Sequence, residues 1–253
     1  DRICRLPTMA HFDSDARFGP HERVDPAAEL GRKTGFCNFI YSNGHAHPHR
    51  DWLFHTLSSY KRVDSLGAHL NNCGNLPNRL DDNWRRLSVE QKRPYKFSIA
   101  AENAASPGYT SEKIITSFLA HTVPIYWGDP SIGEEFNERA FVNANGLSSE
   151  ELIDRVRELD EDDEKYKAML SEPPMTAEQC RAAEEQERRY RAFTNAIFSV
   201  PPKEAKRAPS GTWTDNYKRW ALAPVARPRD TLVRCGKYAL VRDSGRRVLG
   251  PPM

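Results

Sequence analysis

The sequence predicts an α/β domain built on a parallel sheet flanked by helices, and three observations carry that prediction. Residues 95–128, YKFSIAAENAASPGYTSEKIITSFLAHTVPIYWG, read as strand, loop, helix, strand. Within them Phe97, Ile99 and Ala101 alternate at period two, Ile114, Ile115, Phe118 and Leu119 recur at helical spacing, and Val123, Ile125 and Tyr126 resume an apolar run closed by Gly128. A unit of this length is a right-handed crossover between parallel strands. The same order of patterns occurs upstream, with a strand over 35–43, a helix over 50–58 and a second strand over 61–67.

The elements follow in chain order. Residues 1–30 hold a few apolar anchors but no sustained period, so they read as irregular. GFCNFIYSN is the first strand, followed by the polar loop GHAHPHRDW. Trp52, Leu53, Phe54 and Leu57 give the next helix its apolar positions. After KRVDSLG comes a polar connection with a short helical piece over 82–90, and Lys92 and Arg93 stand just before the core strand. Pro107 and Gly108 break the chain after Asn103, and Thr110 or Ser111 is placed to cap the helix that follows. A short strand over 140–144 continues the sheet. Ser148-Ser149-Glu150-Glu151 is a capping box whose helix buries Leu152, Ile153, Val156 and Leu159. The acidic run 160–165 reads as a solvated helix junction, with a metal site as the lesser alternative because EF-hand spacing is absent. Thr176, with Gln179 three residues on, opens a long helix to about residue 198, which ends before Pro201-Pro202.

Composition bounds the function. The chain has 253 residues, 38% hydrophobic, with a mean hydropathy of −0.73, which is polar for a globular enzyme but not disordered. It has no run of eighteen apolar residues and no charged-then-apolar leader. It opens on Asp1, as a processed, truncated or fragmentary sequence would. Its five cysteines lack CxxC or CxxH spacing, which argues against a zinc site and against a dense disulfide framework. Cys37 reads as a buried thiol. An odd number of cysteines leans toward a reducing compartment.

Ligands of a parallel sheet bind at the carboxyl ends of its strands. Here that end carries Glu102, Asn103, Tyr109, Glu112 and Lys113. Lys113 lies in a first helical turn, where the helix dipole already favours an anion, so a Lys there calls for an anionic partner such as a phosphate. Glu112 has the chemistry to accept from ribose hydroxyls, and Tyr109 to stack on or bond to a sugar or phosphate. The alternative is a capped surface helix with a solvated Glu–Lys pair. His45, His47 and His49 alternate in the loop after the first strand, either as an exposed polar loop or as metal ligands. The exposed loop is preferred, since only Asp51 stands beside them. Asp129, Glu134 and Glu135 are loop carboxylates at the sheet edge, able to contact sugar or solvent.

YKFSIAAEN, GYTSEK and AHTVPIYWG, in this order and spacing, resemble the signature of the α-1,3/1,4-fucosyltransferases of glycosyltransferase family 10. That pattern runs YKF-x-L-x-FEN-S, a short loop, Y-V-T-E-K, and a helix ending in GTVPV-x-x-G. Ala101 replaces its aromatic residue, and Thr110-Ser111 its Val-Thr. Arg50 matches an Arg at a helix start in the family, VDSLG its V-D-x-x-G, and FNERAFVNAN a later segment.

The resemblance implies the carboxyl-terminal, Rossmann-like half of a GT-B type glycosyltransferase, over residues 34–200. Residues 1–33 would then be a linker or remnant of an amino-terminal domain, and 201–253 a tail. It implies an inverting transfer of L-fucose from GDP-fucose to a GlcNAc or Glc hydroxyl of a glycan, in α-1,3 or 1,4 linkage. Arg50, Asn103, Tyr109, Glu112 and Lys113 would bind the donor, with Glu102 a candidate for positioning the sugar. Arg50 would face Lys113 across the site and grip the diphosphate with two parallel bonds. The leaving diphosphate would be neutralised by these cations, with no metal or other cofactor. The general base is expected in the amino-terminal domain; Asp13, Asp15, Glu22 and Glu29 do not sit in a matching context. Two alternatives remain, a GDP-sugar-binding module inactive without its acceptor half and a transferase using another nucleotide sugar.

The tail over 201–253 holds twelve Lys or Arg against four Asp or Glu, a net of +8 in a chain whose total is +2. Trp213, Tyr217 and Trp220 are interleaved with the basic residues. That composition suits peripheral contact with an anionic membrane, which some bacterial members of the family make. A solvated extension or a docking arm is the other reading, and no nucleic-acid motif is present. The expected location is cytoplasmic or peripheral membrane for a bacterial member and the Golgi lumen for a eukaryotic one.

Overall fold

The computed structural model describes residues 25–74 and 84–199, together with three strands near the carboxyl terminus. Asp13, Asp15, Glu22, Trp213, Tyr217 and Trp220 lie outside the described residues. The chain divides into the units Asp1–Ala196 and Ile197–Met253.

The first unit is organised on a five-stranded sheet of order β2-β1-β3-β4-β5. Its strands are β1 (Gly35–Phe39), β2 (Val63–Ser65), β3 (Tyr95–Ala101), β4 (Val123–Trp127) and β5 (Val142–Asn143). Every neighbouring pair is parallel, with Cys37 opposite both Val63 and Phe97, and Ile125 opposite Ile99 and Val142. The helices are α1 (Pro26–Gly31), α2 (His49–Tyr60), α3 (Trp84–Lys92), α4 (Glu112–Leu119), α5 (Ile132–Glu135), α6 (Ser149–Glu161), α7 (Asp163–Ser171) and α8 (Ala177–Ser199). The parallel α/β architecture is therefore the one the alternating patterns predict.

Both faces of the sheet are covered. Phe97, Ile99, Ala101, Val123, Ile125 and Trp127 pack with Leu53 and Leu57 of α2, Leu152 and Val156 of α6, and Tyr166 of α7. On the other face Ala100 and Tyr126 pack with Ile114, Ile115 and Phe118 of α4, and with Phe136 and Phe141. Ser98, fully buried, is accommodated because its hydroxyl donates to Asn38 Oδ1 at 2.9 Å, while the Asn38 amide donates to the Phe97 carbonyl at 3.1 Å. A buried polar side chain is tolerated in a sheet only when paired in this way.

Several boundaries differ from the sequence reading. The end of the stretch read as irregular, residues 26–30, forms α1 together with Gly31. Asp25 caps it by accepting from the Ala27 N–H at 3.0 Å, and Pro26 fills the first turn, where its missing N–H costs nothing. The β2 strand is three residues rather than seven. Gly67 ends that segment against the Tyr41 backbone, where a Cβ would sit 2.0 Å from the Tyr41 carbonyl oxygen. The helix expected over 82–90 is α3, shifted two residues on, and the strand expected over 140–144 is only Val142–Asn143.

The caps follow the sequence. Ser148 and Glu151 form the capping box of α6, and Thr176 and Gln179 bond reciprocally before α8. Asp162 accepts from the N–H groups of Glu164 and Lys165, so the acidic run is a cap between α6 and α7.

The second unit contains a three-stranded antiparallel sheet of β6 (Val233–Cys235), β7 (Tyr238–Asp243) and β8 (Arg246–Gly250), in that order. Asp243 pairs with Arg246, leaving Ser244-Gly245 as the two residues between the strands. The sequence reading of the tail, as a membrane-contacting segment, an extension or a docking arm, contains no strands, because the basic residues obscure these short alternating runs.

Candidate functional site

The strand order reverses direction between β1 and β3, which is the point where a parallel α/β sheet opens a crevice at its carboxyl edge. A cleft of about 310 Å³ lies there. Residues following β1 (Ile40 to Asn43), residues of β3 and its exit (Ile99, Asn103), Arg50 of α2, a stripe of α3 and the start of α4 line it. Arg50, Asn103, Glu112 and Lys113, named from the sequence, thus share one cleft. Tyr109 does not line it and stands half-buried in the loop before α4.

Arg50 sits in the first turn of α2 and is 1% exposed. Its Nη1 donates to Asn103 Oδ1 at 3.2 Å and its Nη2 to the Asn43 carbonyl, so one guanidinium spans the exits of β1 and β3. The guanidinium carbon lies 4.5 Å from the centre of the Tyr41 ring, a cation–π contact. Tyr41 is itself fixed: its hydroxyl donates toward the Ile99 and Ala101 carbonyls and accepts from the Ala101 N–H. Among the described residues Arg50 has no carboxylate partner, and its Nε has no hydrogen-bond partner. A buried cation left without an anion is expensive unless a ligand completes it. The His47 N–H donates to the Asn103 carbonyl at 2.8 Å, tying the two exit loops together.

The start of α4 is built on Glu102. Ser111 is the N-cap residue but caps nothing with its own side chain. Instead the fully buried Glu102 carboxylate accepts from the Ser111 N–H at 2.8 Å, from the Ser111 hydroxyl at 2.7 Å and from Lys113 Nζ at 3.2 Å. Burial pushes the Glu102 carboxyl above its usual range, against the opposing pull of the Lys113 ammonium and the Ser111 bonds. Both oxygens are therefore engaged within the fold and Glu102 does not line the cleft, unlike the sugar-positioning place expected for it. The anionic partner that Lys113 called for is Glu102, and Lys113 still lines the cleft beside Glu112.

Asp129, expected at the sheet edge and open to sugar or solvent, is fully buried. It accepts from the Gly108 N–H at 2.8 Å and from the Ser131 N–H and hydroxyl at 2.7 Å, so it pins the loop before α4 to the end of β4. Two histidines of the loop after β1 stack on aromatic rings. His47 and His49 each lie with ring centroids 4.8 Å from Trp127, and His49 lies 4.3 Å from Trp52. Burial and the neighbouring His47 lower the His49 pKa. Among the described residues no group of three or more His, Cys, Asp or Glu is arranged to hold a metal ion.

Sequence reasoning missed Lys92, Trp84 and Tyr41. Trp84, 48% exposed, and Lys92, 4% exposed, both line the cleft from α3. Their spacing with Leu87, Ser88 and Gln91 along one helical stripe was legible, but nothing in the sequence showed that the stripe faces β1 and β3.

Fold and site together define a nucleotide-type α/β domain with cations and carboxylates at the switch point. The chain belongs to glycosyltransferase family 10, the fucosyltransferases, whose C-terminal domain matches residues 30–195. An α-(1,3)-fucosyltransferase of Helicobacter pylori is 36% identical over 145 residues, covering 56% of this chain and 28% of the relative. A putative fucosyltransferase of Acanthamoeba polyphaga mimivirus is 34% identical over 146 residues, covering 56% of this chain and 24% of the relative. The human GDP-fucose protein O-fucosyltransferase 3 is 33% identical over 130 residues, covering 48% and 26%. The crystal structure of an α1,3-fucosyltransferase with GDP-fucose superposes with a TM-score of 0.58 at 29% identity, covering 71% of this chain and 50% of that one. The chain thus spans about a quarter of the length of these curated relatives and half of that structure.

Proposed function

We propose that this chain forms the donor-nucleotide half of a fucosyltransferase, with GDP-fucose seated in the cleft between the exits of β1 and β3. The observation that carries the proposal is the Arg50 guanidinium, buried, without a carboxylate or Nε partner among the described residues, lining the same cleft as Lys113 and Glu112. Family membership supplies the donor class.

In this reading the acceptor hydroxyl attacks the anomeric carbon of fucose while the bond to the GDP β-phosphate oxygen breaks, inverting the centre. The acceptor is a hydroxyl of a glycan or, as the protein O-fucosyltransferase relatives suggest, of a protein side chain. Arg50 and Lys113 stabilise the negative charge that grows on the departing diphosphate, the stabilisation that lowers the barrier. Glu102 keeps Lys113 pointed at the start of α4. Glu112 and Asn103 hold the ribose or the base, with Tyr109 a loop contact to the phosphate or sugar. The basic tail over 201–253 is proposed to contact anionic membrane, testable by flotation with vesicles containing phosphatidylserine.

Calorimetry with GDP-fucose and with GDP tests the donor site. Binding by the parent chain, weakened in both Arg50→Ala and Lys113→Ala, is the expected result. A folded parent chain that binds neither ligand would sink the proposal.

A further inference from the structure

Lys92, the last residue of α3, is a buried amine on the wall of the cleft that the donor reading does not use. Its Nζ lies 2.7 Å from Thr116 Oγ1, 3.1 Å from Ser117 Oγ and 3.2 Å from the Lys113 carbonyl oxygen. Both hydroxyls already donate to α4 carbonyls, Thr116 to Glu112 at 2.9 Å and Ser117 to Lys113 at 2.8 Å. They can therefore only accept from Lys92. Three acceptors around one nitrogen require three N–H groups, which an ammonium has and a neutral amine lacks. No carboxylate forms an ion pair with Lys92 among the described residues.

We propose that Lys92 is a proton-linked positioning residue for the nucleotide diphosphate: an anion bound in the cleft holds the amine as an ammonium, and the ammonium in turn fixes the first turns of α4, which carry Glu112 and Lys113. The inference rests on the donor reading above. The charged groups facing Lys92 are Glu112 and Lys113 of α4 and Glu102 at the exit of β3, with Arg50 of α2 lining the same cleft. Burial lowers the Lys92 pKa to about 7, with Glu112 acting in the opposite direction. A diphosphate adds negative charge to the cleft and so raises it. Because linkage is reciprocal, binding then takes up protons, and affinity falls as pH rises above neutrality. When the proton is lost, a lone pair faces one of the three acceptor oxygens and the clamp between α3 and α4 loosens.

The test is calorimetry of GDP-fucose in buffers of different ionisation enthalpy, from pH 6 to 9. The diphosphate of GDP-fucose is esterified at both ends and does not itself titrate near neutrality, so any uptake belongs to the protein. We expect little uptake at pH 6, where the amine is already charged, and uptake rising toward about one proton per nucleotide near pH 8. In Lys92→Met the uptake should vanish and the pH dependence of Kd flatten, a change that a purely structural role would not produce. Lys92→Arg, charged throughout, should bind without uptake. Should Lys92→Met fail to fold, Thr116→Val removes one acceptor and should move the uptake profile to lower pH. Binding with no uptake at any pH, or uptake unchanged in Lys92→Met, overturns the proposal while leaving the donor site standing. Absence of any binding overturns both.

Discussion

Glu102 and Ser111 share two hydrogen bonds, one from the Ser111 N–H at 2.8 Å and one from its hydroxyl at 2.7 Å, and the same carboxylate holds Lys113 Nζ at 3.2 Å. An acidic residue from the end of one strand thus accepts from the N-cap backbone N–H, as the N3 glutamate of a capping box does elsewhere, and it also holds the cation of the site. Glu102→Gln keeps the shape but replaces one acceptor oxygen with a donor facing groups that donate. A buried donor left opposed costs about 1–3 kcal/mol. Chemical denaturation should show a loss of that order, and GDP-fucose affinity should fall as Lys113 loses its anchor. Unchanged stability would show that Glu102 is not the cap.

Arg50 yields a sharper prediction, because its two contacts are geometric. The guanidinium reaches Asn103 and the Asn43 carbonyl at once while lying over Tyr41. A lysine keeps the charge but has no planar fork to span both exits or stack on the ring. Arg50→Lys should therefore behave nearly as Arg50→Ala in donor binding, each losing about 10- to 100-fold, as expected when one charge-assisted interaction disappears. Near-parent affinity in Arg50→Lys, read by calorimetry, would reduce Arg50 to a point charge.

These two residues show how far the sequence reached. The sheet was legible because Phe97, Ile99 and Ala101 alternate, and because two strand–helix–strand patterns follow one another. The cleft was legible in part because the carboxyl end of β3 and the start of α4 are neighbours along the chain. What was hidden depends on how loops and helices fold back on the ends of the strands. Glu102 read as a ligand contact because its partners, Ser111 and Lys113, become neighbours only when the loop folds back. Asp129 read as solvated because the Gly108 N–H reaches it from that same loop, whereas its Ser131 contacts are local. Lys92 carried no signal, since a lysine at a helix end is ordinarily exposed, and only the packing of α3 on α4 buries it. The α1 helix was missed although Asp25-Pro26 marks its start, because six residues give too few turns for periodicity to register.

The α6 capping box offers a test of stability away from the site. Ser148 accepts from the Glu151 N–H at 3.2 Å, and Glu151 accepts from the Ser148 N–H at 2.8 Å. The helix it starts buries Leu152, Val156 and Leu159 against the sheet. Ser148→Ala should cost about 1 kcal/mol in chemical denaturation with donor binding unchanged. A loss of binding would mean that α6 is coupled to the cleft.

Stability should also depend on pH through Lys92. The folded side chain gives up its proton near pH 7, whereas an unfolded lysine keeps it to about pH 10.4. Between those values the unfolded chain binds more protons, so this group makes the fold more stable as pH rises from 7 toward 10. Lys33, lowered to about 8 by burial, acts in the same direction over the upper part of that window. The Cys37 thiol, pushed far up by burial, acts against both once an unfolded thiol begins to ionise, near pH 8.5. The comparison that isolates Lys92 is therefore wild type against Lys92→Met in denaturant melts at successive pH values. Wild type should gain on the variant between pH 7 and 9, and the gap should stay constant below pH 6, where the amine is charged in both folded and unfolded chains. A gap that is flat across the whole range would mean that Lys92 keeps its proton in the folded domain well above neutrality, and that the three acceptor oxygens around it outweigh the cost of burying it.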